Sequence, residues 1–133
     1  MRSARLLGAA LAAGVVLSAP PAQALGCRIA LSLAIDVSSS VDSGDYALQA
    51  GGLVAALTAP EVVDAFLAVP GTSVALHVYE WSGRWQQEVM LDWLVVSTRD
   101  DLVEAATRLA ALPRSHDDYP TALGAGIGFG AQR

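Results

Sequence analysis

The chain has 133 residues and a net charge of −5, with 53% hydrophobic residues, 16% charged residues and no lysine. An acidic balance with so few cations lacks the basic surface that nucleic acid or an anionic membrane would need, so neither is expected as a partner. The length suits one small domain.

The first predicted element is a leader. Met1–Arg5 carries two arginines, Leu6–Ala19 is an apolar and small-residue run that is short for a membrane span, and Ala22-Gln23-Ala24 has the form of a cleavage site. Together they predict a signal peptide over residues 1–24, with a retained anchor as the lesser alternative. The mature domain is then 25–133, without a membrane span and located in the periplasm or secreted. Two of the eight arginines leave with the leader, so the mature part sets six basic against thirteen acidic residues, a net −7. Cys27, the single cysteine, follows the cut closely. It reads as a lipid-modified residue, as half of a disulfide whose partner is not in this chain, or as a buried free thiol. Ala24-Leu25-Gly26 is a poor lipidation signal, because Ala24 stands three positions before the cysteine in place of the usual larger apolar residue.

Arg28–Val37 is the first predicted strand. Ile29–Ile35 is apolar apart from Ser32, as in a strand buried on both faces of a parallel sheet. It ends in Asp36, with the hydroxyls of Ser38 and Ser40 two and four positions on. Open α/β sheets bind ligands at the carboxyl ends of their strands, which is where this loop would sit. Hard cations such as Mg²⁺ favour oxygen donors of this kind. The competing reading, which spacing alone favours, is that these side chains shape the turn and cap the next helix.

Ser43-Gly44-Asp45 opens a helix whose residues Tyr46, Ala50, Leu53, Val54 and Leu57 recur on one face. Gly51-Gly52 inside it costs about 1 kcal/mol per glycine relative to alanine, and close backbone packing is the expected reason for both. Pro60 starts a second helical piece, Glu61–Ala68. Thr72–Glu80 is the second strand, Trp81–Arg84 a turn, and Trp85–Val96 a third strand, antiparallel to the second because the connection is short. Trp81 and Trp85 flank that turn, either as an exposed contact patch or packed over the sheet edge. His77 alternates with apolar residues and reads as structural. Thr98-Arg-Asp-Asp101 resembles a helix cap leading into Leu102–Leu112. Pro113–Pro120 is a polar loop, in which His116, Asp117 and Asp118 read as solvated rather than as a second cation site. Thr121 opens a segment with Gly124, Gly126, Gly128 and Gly130, whose spacing is wrong for a nucleotide fingerprint and suits close helix packing. By position alone, Thr121 also fits a helix N-cap.

The fold class is therefore α/β: three strands with flanking helices, the N-terminal half of a doubly wound (Rossmann-like) sheet. The common order puts strand one between strands two and four. No fourth strand follows and the chain stops inside a helix, so it reads as C-terminally truncated, with strand one left as an unpaired apolar edge prone to aggregation. No enzyme is expected. A G-x-S-x-G elbow is missing, and Asp36-Val37-Ser38 lacks the second aspartate of a phosphatase-like D-x-D pattern. An α/β hydrolase-like or phosphotransfer enzyme using Asp36 or a serine is the alternative function, and a truncated product with none is the third.

Asp36-x-Ser38-x-Ser40 after a strand resembles the first segment of the metal-ion-dependent adhesion site (MIDAS) of von Willebrand factor type A domains. Thr121, in Tyr119-Pro-Thr-Ala-Leu-Gly124, stands where a later loop of that family supplies a threonine. The ordered set Asp36-Val-Ser-Ser-Ser-Val-Asp42, Tyr46-Ala-Leu-Gln49, Glu80-Trp-Ser-Gly83 and Pro120-Thr-Ala-Leu-Gly124 closely resembles an uncharacterised bacterial exported family, a domain of unknown function with a von Willebrand A-like core, across Cys27–Arg133. The resemblance implies Mg²⁺ (or Mn²⁺ or Ca²⁺) held by Ser38, Ser40 and Thr121, with Asp36 acting directly or through a water. It implies a protein partner that supplies a carboxylate to an open coordination position. It also implies two features this chain lacks: a further strand ending in an aspartate of the metal site, so that binding here is expected to be weak, and a second cysteine that would pair with Cys27.

Overall fold

A computed structural model of the protein describes residues 26–133. The predicted leader and its cut after Ala24 lie outside the described residues. The elements run β1 (Gly26–Asp36), α1 (Ser43–Thr58), α2 (Pro60–Leu67), β2 (Thr72–Trp81), β3 (Gln87–Val96), α3 (Arg99–Ala110) and α4 (Leu123–Ala131). The strands form one sheet in the order β1-β2-β3. β1 and β2 are parallel, while β2 and β3 are antiparallel across the short turn. This is an α/β fold with a mixed sheet flanked by helices, consistent with a Rossmann-like layout.

Strand alternation and the β1–β2 register sort the side chains into two faces. Leu31, Leu33 and Ile35 stand beside Leu76, Val78 and Glu80; Ser32, Ala34 and Asp36 stand beside His77, Tyr79 and Trp81. The first face carries the main core, where Leu76, Val78, Leu91 and Val96 meet Leu57 of α1, Val63 of α2, and Leu102, Ala105 and Ala106 of α3. The second face is aromatic and is covered by α4. A Cβ at Gly126 would lie 2.6 Å from the Trp81 ring, and one at Gly130 would lie 2.5 Å from the Tyr79 hydroxyl. The Tyr79 hydroxyl donates to the Gly126 carbonyl at 2.8 Å, and the Tyr79 ring lies 5.1 Å from that of Phe129. Close packing therefore explains two of the four glycines; nothing lies within 4 Å of a Cβ at Gly124 or Gly128.

Several expectations are corrected. β1 is not buried on both faces: it is an edge strand with a single neighbour, leaving Ile29 45% exposed and Ala30 and Ala34 exposed. Among the described residues this apolar edge is unpaired. Gly51 and Gly52 approach no neighbouring element, since a Cβ at either would meet nothing within 4 Å. Trp81 is buried under α4, whereas Trp85 is 79% exposed beside Arg84. Of the three readings of Cys27, the buried thiol is excluded, since the residue is exposed, and it has no disulfide partner in the chain. No single helix among the described residues is long and apolar enough to cross a membrane.

Other local readings agree with the structure. His77 is fully buried as a structural residue, its Nδ1 2.8 Å from Ser32 Oγ and its ring stacked 5.0 Å from that of Trp93, but it is only half satisfied, since its Nε2 has no hydrogen-bond partner among the described residues. Burial, and then the Arg133 charge, lowers its pKa. Thr98 caps α3 in a capping box with Asp101. The Asp101 carboxylate accepts from the Ser97 and Thr98 amides at 2.9 and 2.8 Å, and these bonds, led by that from Ser97, hold its pKa below the ordinary value against the opposing effect of burial.

Gly126→Ala is expected to destabilise the fold by about 1–3 kcal/mol through overpacking against Trp81. Gly128→Ala should be neutral or stabilising by up to about 1 kcal/mol. Urea denaturation of the two variants checks both. For Asp101, the lowered folded-state pKa gives stability that is complete above the unfolded value, about 4, and is lost as pH falls through the folded value. Asp101→Asn should therefore flatten the acid limb of stability measured against pH.

Candidate functional site

The site begins where β1 runs out of partners. The Val37 amide makes the last rung to Trp81, donating to its carbonyl at 2.9 Å. The chain then turns. Asp36 Oδ1 accepts from the Ser38 amide at 2.8 Å, an Asx turn, and the Val41 amide donates to the Ser38 carbonyl at 3.0 Å. Capping of α1 falls to Asp42, whose carboxylate accepts from the Gly44 and Asp45 amides at 2.7 and 2.9 Å. The hydroxyls of Ser38 and Ser40 are thus not used as caps. They face each other, 3.1 Å apart.

A second loop, between α3 and α4, closes over the first. The Ser39 amide donates to the Tyr119 carbonyl at 2.8 Å, and the Ala122 amide donates to the Ser82 carbonyl at 2.8 Å. These two bonds deliver Thr121, whose hydroxyl donates to Ser38 Oγ at 2.8 Å. Thr121 is not a helix cap; the N-cap position of α4 is Ala122, with no side-chain bond. Of the four residues singled out in the sequence, Ser38, Ser40 and Thr121 bring their hydroxyls together at the carboxyl end of β1, while the Asp36 carboxylate bonds the Ser38 amide beside them. Ser38 is fully buried, while Ser40 and Thr121 are exposed.

The oxygen spacing is that of hydroxyl–hydroxyl hydrogen bonds and is also compatible with a small hard cation. Adjacent ligands of an octahedral Mg²⁺, with bonds of about 2.0–2.1 Å, lie about 2.9 Å apart. The hydroxyl pairs stand at 2.8 and 3.1 Å. No cluster of three or more His, Cys, Asp or Glu suited to a metal occurs among the described residues. His116 packs edge-on against Tyr119, with Asp117 and Asp118 exposed, as expected of a solvated loop.

Three further residues lie beneath the two loops. Arg114 Nη2 faces the carbonyls of Val37, Ser38 and Val41 at 2.9, 3.1 and 2.9 Å, and its Nε donates to the His116 carbonyl at 2.6 Å. Its guanidinium lies 5.2 Å from the centre of the Tyr46 ring. The Tyr46 hydroxyl donates to Glu80 Oε1 at 2.7 Å, and the Ser115 amide donates to Oε2 at 2.7 Å. Glu80 is 1% exposed. Burial, and then the bond to Glu80, pushes the Tyr46 phenol well above its ordinary pKa. Reading the sequence misses these roles: Tyr46 looks like one more residue on a packed helix face, and Arg114 like part of a polar loop. Glu80 does leave a signal, since a carboxylate ending an apolar strand needs donors if it is buried.

The fold is thus α/β, with the two loops meeting at the carboxyl end of β1. More narrowly, residues 26–133 match the family described as "Protein of unknown function (DUF1194)", and the chain belongs to that family. It has no match among curated proteins or among solved structures.

Tyr46→Phe keeps the ring under Arg114 but removes one of the two donors to the buried Glu80 carboxylate. A loss of about 1–3 kcal/mol is expected in chemical denaturation.

Proposed function

We propose that the protein is an exported binding module of von Willebrand A type, without catalytic activity, that engages a protein partner through a divalent cation. Ser38, Ser40 and Thr121 are the hydroxyl ligands, and Asp36 acts directly or through a water. The observation that carries this reading is the chain of three hydroxyls from two loops remote in sequence, with oxygen spacings of 2.8 and 3.1 Å. When bound, a Mg²⁺ or Mn²⁺ ion would supply an electrophilic position open to a partner's carboxylate. The protein's own residues do the rest. The Asx turn fixes Asp36 against the Ser38 amide, and Asp42 takes over the capping of α1. The neutral hydroxyls leave the charge of the ion largely uncompensated. The leader read in the sequence supports export, and an exposed Cys27 suits a disulfide in an oxidising compartment.

Titration calorimetry of the purified protein with MgCl₂ and MnCl₂ is the test. One divalent ion should bind per chain, and Asp36→Ala and Thr121→Ala should each weaken it roughly tenfold, about 1.4 kcal/mol. Binding that is unchanged in both variants would overturn the reading.

A further inference from the structure

We infer that Arg114 is the positioning residue of the hydroxyl site: by holding the main chain on both sides of Ser38, it sets the geometry in which Ser38, Ser40 and Thr121 meet. This rests on the metal-site reading and goes beyond it, because Arg114 offers no ligand oxygen and its hydrogen bonds go to main-chain carbonyls, none to the four proposed ligand side chains.

The pattern of its bonds separates this role from an ordinary ion pair. Arg114 forms no salt bridge among the described residues. Its bonds go to main-chain carbonyls instead. Three of these, Val37, Ser38 and Val41, belong to the loop that carries Ser38 and Ser40, and the fourth, His116, belongs to the loop that carries Thr121. The Val37 and Ser38 carbonyls belong to the peptide units on either side of the Ser38 Cα, so the direction of its Cα–Cβ bond follows from where they are held. The rigid fork of a guanidinium suits several acceptors at once in a way that a lysine ammonium does not. Arg114 is itself held in place. Tyr46 lies against its guanidinium and bonds Glu80, and Glu80 receives the amide of the adjacent Ser115. Both loops are in this way anchored to the end of β2.

The sign of the electrostatic effect makes the claim testable. A fixed positive charge beside a cation site opposes cation binding, so charge alone predicts that Arg114→Gln tightens it. Positioning predicts the reverse, and also that Arg114→Lys, which keeps the charge and loses the fork, fails to restore it.

The experiment combines Mn²⁺ titration with amide hydrogen exchange of the ion-free protein for wild type, Arg114→Gln and Arg114→Lys. Both variants should bind Mn²⁺ roughly tenfold more weakly. The Ser39 and Val41 amides, which bond Tyr119 and Ser38, should exchange at least tenfold faster, with β2–β3 amides unchanged. Tighter or unchanged Mn²⁺ binding, or acceleration spread evenly over the sheet, would overturn the assignment. Should Arg114→Gln not fold, Arg114→Lys carries the test by the same criteria. If wild type binds no divalent ion, the metal reading fails separately, and positioning is decided by exchange at Ser39 and Val41: selective acceleration supports it, and unchanged rates refute it.

Discussion

One hydroxyl contact, Thr121 Oγ1 to Ser38 Oγ at 2.8 Å, ties together segments 83 residues apart and defines the site. It depends on where α4 begins, and α4 begins where its glycines let it lie against the sheet. Gly126 over Trp81 and Gly130 over Tyr79 permit an approach that any side chain would block. The Ala122 amide, bonded to the Ser82 carbonyl, then fixes the turn before the helix. Two of the alternating glycines, Gly126 and Gly130, thus determine the placement of a threonine.

The two faces of the sheet do different work. One buries aliphatic side chains under three helices and supplies most of the hydrophobic stabilisation. At its carboxyl end this same face carries Glu80, a carboxylate almost removed from water. Burying such a group costs free energy unless donors replace the lost solvent, and Tyr46 and Ser115 provide them. The result is a polar anchor at the top of an apolar face, directly beneath the loops. The other face is aromatic, with Tyr79, Trp81, Trp93 and His77 under a thin, glycine-rich helix, and its edge strand β1 keeps several apolar side chains in contact with water.

Features governed by neighbours in sequence were legible in the sequence. The Thr98–Asp101 capping box, the short connection that makes β3 antiparallel and the helical spacing of Leu53, Val54 and Leu57 each depend on residues a few positions apart. Features governed by tertiary contact were less so. Thr121 has the chemistry of a helix cap and stands two residues before α4, yet its hydroxyl reaches another loop. Gly51 and Gly52 look like a packing device and face no neighbouring element. Arg114 bonds main-chain carbonyls, and because every residue carries one, no residue type elsewhere in the sequence marks its targets. The side chains of the candidate site could be named from spacing and resemblance, whereas the scaffold that orients them emerges only in three dimensions.

Whether a divalent ion binds at these hydroxyls is the most direct question to put to this molecule. Substoichiometric Mn²⁺ broadens nuclear resonances steeply with proximity, so it locates the ion without a substitution. Resonances of Ser38, Ser40, Thr121 and Asp36 should fade first, while those of α2 and the amino end of β1 persist. Broadening centred on Asp117 and Asp118, or spread over the acidic surface with the Ser38 and Thr121 signals intact, would contradict a cation held by these hydroxyls.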